Sequence, residues 1–186
     1  MKKKEFIVEL KSLGWTQQRA DGETFYRYAQ DGRLIDINPT IRPMTGKTMV
    51  AAGVSVTTEA FIAATDAVSG KAEGGHPLVA PWPPHDGVYV TQLDADVVAK
   101  ISQQSIDWGM AQDLDAALAA MRAYGTGEYG SRPLLHLAAL ALAGETEKLE
   151  SYRQSFKAGD RLGFAPYIGI GYIERALEFA KAQGHG

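Results

Sequence analysis

Two hydrophobic periodicities divide the chain. Up to residue 91 stretches of strand alternation and of helical spacing take turns, and from Leu93 onward apolar positions recur at helical spacing throughout. Phe6, Leu10 and Leu13 open the first part and predict a short amphipathic helix over 3–13, stopped by Gly14. Trp15 follows and is expected to fold back on that helix. Strands are then expected over 24–29, 33–38 and 49–57. In the second, Ile35 and Ile37 should face inward, and in the third the alternation is clearest at Val54-Ser55-Val56. Asp31-Gly32 reads as a hairpin turn, because its backbone tolerates positive φ. Thr57 or Thr58 should cap a helix with Glu59 in its first turn and Phe61, Ala64 and Val68 as its apolar stripe. Gly and Pro crowd residues 70–87, where no regular element fits, and 88–91 reads as a short fourth strand.

The second part predicts helices throughout. Val97, Ile101 and Trp108 mark one face, and Leu114, Leu118 and Met121 mark the next helix. The glycine-rich break at 124–130 is followed by Ser131 as a cap and Pro133 in a first turn. Residues 134–143 are apolar nearly all round, which predicts a helix buried on every side. Leu149, Tyr152, Arg153 and Phe156 stripe a fourth helix, and Ile173, Ala176, Leu177 and Ala180 a last one over about 171–182. The expected fold class is therefore α+β: an N-terminal helix plus a small antiparallel sheet, followed by a C-terminal helical bundle. The domain reading is a single domain, 1–186, with a sheet-containing half (1–91) and a helical half (92–186). The Pro/Gly stretch 70–87 is the one plausible boundary, and the all-apolar helix favours a fused core.

Composition narrows the chemistry. The 186 residues contain no Cys, which excludes disulfides, Cys-ligated metals and thiol catalysis. Net charge is −3, against a strongly basic nucleic-acid binder. No apolar run is long enough to span a membrane, and Met1-Lys2-Lys3-Lys4 leads into Glu5 rather than an apolar signal core, so a cytoplasmic chain with no membrane partner is expected. Gly46-Lys47-Thr48 resembles the end of a phosphate-binding loop, but Ile41 stands where that motif needs glycine and a strand follows where it needs a helix; a turn between strands is the reading. His76, His85 and Asp86 match no metal-ligand spacing, and His136 reads as a hydrogen-bonded core residue. The pairs Asp94/Asp96 and Asp113/Asp115 fall at helix starts, where capping alone favours Asp. No catalytic residue, cofactor or metal site is therefore expected.

Charge layout points instead to a protein partner. Residues 91–145 carry seven acidic and three basic side chains, while 1–45 is net basic. Asp94, Asp96, Asp107, Asp113 and Asp115 form the candidate partner-binding set, since such a patch repels nucleic acid and speeds encounter with a basic protein. Trp82, held between prolines in Pro81-Trp82-Pro83, is the candidate anchor.

The order of helix, Leu13-Gly14-Trp15, hairpin, Val54-Ser55-Val56-Thr57-Thr58-Glu59-Ala60-Phe61 and then helices resembles a known class. The C-terminal stretches around Phe156-Lys157-Ala158-Gly159-Asp160 and Gly163-Phe164-Ala165-Pro166-Tyr167-Ile168 belong to the same likeness. Together they resemble the small acidic immunity proteins of bacterial polymorphic toxin and contact-dependent inhibition systems. That resemblance implies a cytoplasmic inhibitor that occludes a cognate toxin domain, with a nuclease among the candidates. The front half also resembles the secretion-chaperone type of α/β sandwich, which implies a different protein-binding module. A small ligand-binding protein or enzyme is the third class.

Overall fold

A computed structural model describes residues 1–20, 22–72, 76–80 and 87–183. Its elements run α1 (Lys3–Ser12), β1 (Thr16–Ala20), β2 (Glu23–Gln30), β3 (Arg33–Met44), β4 (Lys47–Thr57), α2 (Glu59–Ser69), β5 (Val88–Val90), α3 (Ala95–Met110), α4 (Leu114–Arg122), α5 (Arg132–Leu142), α6 (Thr146–Lys157) and α7 (Ile170–Gln183). The fold is α+β, as the two periodicities require. These elements gather into two compact units, one of Met1–Thr58 with Pro77–Gln112 and one of Glu59–His76 with Asp113–Gly186.

The first unit is built on an antiparallel sheet in the order β1-β2-β3-β4-β5. Asp31 and Gly32 both take positive φ (49° and 74°), which lets two residues close the β2–β3 hairpin with Gln30 opposite Arg33. Thr45-Gly46 closes β3 on β4, so the Gly46-Lys47-Thr48 motif is a hairpin turn as expected. Ile35 faces Val56 and Ile37 faces Val54 across the ladder, and all four side chains are buried. α1 and α3 pack together and α3 lies on β3 and β4. Phe6 and Leu10 of α1 are buried, and Trp15 behind them donates from Nε1 to Ser102 Oγ on α3 at 2.8 Å.

Two expectations change here. β1 was not expected, because Thr16-Gln17-Gln18-Arg19-Ala20 has no apolar alternation; it is an edge strand without a fully buried residue, held by its register to β2. The inward face of α3 is Val98, Ile101, Ser102, Ser105 and Gly109 rather than Val97, Ile101 and Trp108. Small residues let the helix backbone approach the sheet, and a hydrophobic pattern gives such positions no weight. α3 also joins the sheet unit, although its periodicity groups it with the helices that follow.

The second unit is five helices: α2, α4, α5, α6 and α7. α5 packs against each of the other four, which explains a sequence apolar nearly all round. Its residues Pro133 to Ala141 are all buried. Leu149 of α6 and Ile173, Ala176, Leu177 and Ala180 of α7 supply the facing surface, all five as expected, while Tyr152, Arg153 and Phe156 of the predicted α6 stripe are half-buried.

Candidate functional site

A groove opens in the sheet unit where β4, β5 and α3 meet. β4 contributes Val50, Ala51, Ala52 and Val54, β5 contributes Val88, and α3 contributes Ile101, Gln104, Ser105, Asp107 and Trp108. They line a groove of about 400 Å³, within the size range of ligand and anchor-residue sites. Its shape follows from the sequence. Val50, Ala52 and Val54 share one face of β4 by strand alternation, and the small Ala52 between two valines leaves room that a larger side chain would fill. Polar groups sit on the α3 wall. Ser105 Oγ is spent on the Ile101 carbonyl at 2.8 Å, a bond inside the helix. Asp107 is exposed and accepts from Gln103 Nε2 at 2.8 Å, an uncharged partner that leaves its charge uncompensated. Among the described residues the groove is thus apolar with one carboxylate at its side.

The five aspartates divide between the units. Asp94, Asp96 and Asp107 lie on or before α3, and Asp113 and Asp115 on or before α4. Asp94 caps α3 by accepting from Val97 N at 3.1 Å, and Asp113 caps α4 by accepting from Ala116 N at 2.9 Å. Both therefore hold helix starts, the role their positions imply. Asp96 and Asp107 are eleven residues apart, about three helical turns, so α3 presents them on one side. Asp107 is the member of the set that lines the groove. Trp82 lies outside the described residues, as do His85 and Asp86.

His136 is a core residue. Nδ1 lies 3.0 Å from the Met121 carbonyl and Nε2 lies 3.1 Å from the Tyr152 hydroxyl. A carbonyl only accepts, so Nδ1 carries the proton and donates to it, and Nε2 accepts a hydrogen bond from the tyrosine hydroxyl. Burial, aided by the nearby Lys148 charge, pushes its pKa below the ordinary imidazole value and keeps the ring neutral. Tyr152 and Phe164 pack around it edge to face at 5.4 Å between ring centres. Among the described residues no three His, Asp or Glu side chains gather as a metal site.

Two arginines hold the ends of helices whose last turns lack a basic residue. Arg33 Nη1 donates to the carbonyls of Gly109 (3.2 Å) and Gln112 (2.7 Å) at the end of α3. Arg175 donates from Nε to Val68 O at 2.9 Å and from Nη2 to Ser69 O at 3.0 Å at the end of α2. Each offsets the negative end of a helix dipole from far along the chain, and no local pattern announces it.

These features define an α+β protein with an edge groove beside its sheet. The chain belongs to a family of unknown function (DUF6990), whose profile matches residues 2–181. No curated protein and no solved structure matches it significantly. Among the described residues no helix is long and apolar enough to cross a membrane.

Proposed function

We propose that this chain works by binding another protein, and that the partner is a toxin domain which it neutralises by occlusion. The groove between β4 and α3 carries this reading. It pairs an apolar floor, suited to an anchor side chain, with the exposed carboxylate of Asp107, suited to a basic neighbour of that anchor. The acidic stretch 91–145 supports it, as does the order of elements that resembles immunity proteins.

The test is co-expression with the C-terminal domain of the protein encoded immediately upstream in the native genome. Growth restored by the wild-type chain, with a one-to-one complex recovered from the cells, is the expected result. Full toxicity in the presence of soluble chain overturns the inhibitor reading. A second reading, a chaperone-like module that holds an extended client segment, is favoured by the same groove. It predicts complex formation with no effect on toxicity.

A further inference from the structure

One side of α4 has the form of half a symmetric contact. Asp115, Leu118, Ala119 and Arg122 stand at i, i+3, i+4 and i+7, so they share that side of the helix. Asp115 and Ala119 are exposed, and Leu118 and Arg122 are half-buried. Of the described elements, α5 is the one that packs extensively on α4. Both helices lie in the stretch 87–183, which is described without a gap. Beside Leu118 a groove of about 290 Å³ opens between them, walled on the α5 side by Ala139, Leu142 and Ala143. Asp115 and Arg122 line the same groove, about 10 Å apart along the helix axis, too far to pair with each other. Neither side chain makes a hydrogen bond or ion pair with any other described residue.

An anion and a cation spaced evenly about the midpoint of one stripe are complementary to themselves. A second copy of α4 can be laid antiparallel across a two-fold axis between Leu118 and Ala119. Asp115 of each copy then meets Arg122 of the other, and Leu118 of each meets Ala119 of the other. One surface thus supplies two ion pairs and two apolar contacts. A parallel placement sets Asp115 on Asp115 and Arg122 on Arg122, so charge fixes the direction. Ala119 is small enough to let the two backbones approach, and the groove beside Leu118 takes the flank of the incoming helix. We propose that α4 is the contact helix of a homodimer, with the two copies antiparallel across it. A foreign helix would have to bring a basic and an acidic residue at the same spacing, which the second copy already carries. The inference does not rest on the toxin-binding reading, because the groove beside α3 is built from residues of the other unit.

A contact centred on two helices of nine residues belongs with the small, reversible interfaces, below roughly 1,200 Å² in total. Sedimentation velocity of the full chain from about 1 µM to about 1 mM should therefore show monomer passing to dimer, with weaker association at high salt. Asp115→Lys and Arg122→Glu each turn both ion pairs into repulsions, and each should weaken self-association at least about tenfold. Mixing the two single variants should restore a dimer, because in the mixed pair every basic group again faces an acidic one. The chain carrying both exchanges should recover the wild-type affinity to within a few fold. Misfolded chains would not regain association on mixing, so the mixture decides even where a single variant loses helix.

A wild-type chain that stays monomeric to about 1 mM overturns the proposal. So does a dimer whose affinity neither single exchange changes, since that dimer uses another face. Failure of both the mixture and the doubly exchanged chain to associate, with each folded by circular dichroism, overturns the antiparallel pairing.

Discussion

Gly109 on α3 lies so close to Ile35 on β3 that a Cβ placed there would stand 2.6 Å from Ile35 Cγ1 and 2.7 Å from its Cδ1. Gly109→Ala therefore overpacks the centre of the sheet unit and should cost about 1–3 kcal/mol. Ile35→Val removes Cδ1 but keeps Cγ1 and Cγ2, so the double variant should recover part of that loss, not all. A urea-unfolding cycle over the four proteins measures the coupling, and additive losses would show that the two residues do not press on each other.

Trp15 and Ser102 are both buried, and the indole N–H has the serine hydroxyl as its partner. Ser102→Ala leaves that N–H dry and unmatched, for a loss of about 1–3 kcal/mol. Ser102→Thr keeps the hydroxyl and should lose less. Tryptophan fluorescence during urea unfolding reports both the stability and the Trp15 environment.

His136 gives the helical unit a pH dependence of defined sign. The native ring resists protonation, while the unfolded chain takes up a proton near about pH 6.5. The unfolded state binds more protons below that value, so the stabilisation is complete above it and is lost as pH falls, by at most about 1.4 kcal/mol per pH unit. Thermal unfolding between pH 7.5 and 5.5 should show a steeper fall for wild type than for His136→Gln. Parallel profiles would remove His136 as the source.

Arg175 should resist conservative replacement. Its planar fork reaches two successive carbonyls, and a Cβ at Gly70 or Gly171 would stand 3.1 or 3.2 Å from the guanidinium. Arg175→Met should cost about 1.5–3 kcal/mol, and Arg175→Lys should recover little, because an ammonium cannot span both oxygens. Full recovery by lysine, measured by urea unfolding, would make the role one of charge alone.

The fold was legible where one residue type dominates a period. Ile35 and Ile37 marked the inward face of β3, Asp31-Gly32 its hairpin, and the unbroken apolar run its buried helix α5. Legibility failed where the chain relies on pairing or small size. β1 is a strand because β2 offers it an edge, and Ser102, Ser105 and Gly109 face inward because bulk would not fit. The groove was hidden for another reason: β4, β5 and α3 supply it from stretches tens of residues apart. The acidic set was visible in the sequence, and so was the capping role that Asp94 and Asp113 take, but that Asp107 alone among the five lines the groove was not.

The interleaving of the two units sets an order on biosynthesis. α2 leaves the ribosome before α4, α5, α6 and α7 have been made, so Phe61 and Val68 emerge ahead of the helices of their unit. The sheet, in turn, waits for α3 at residues 95–110 to cover its inner face. The sheet unit can close once Gln112 has emerged, whereas the helical unit waits for α7 at Ile170–Gln183. A polypeptide ended near residue 91 would hold the strands without α3, and the apolar face of α2 stays open to misassembly until α7 has been made.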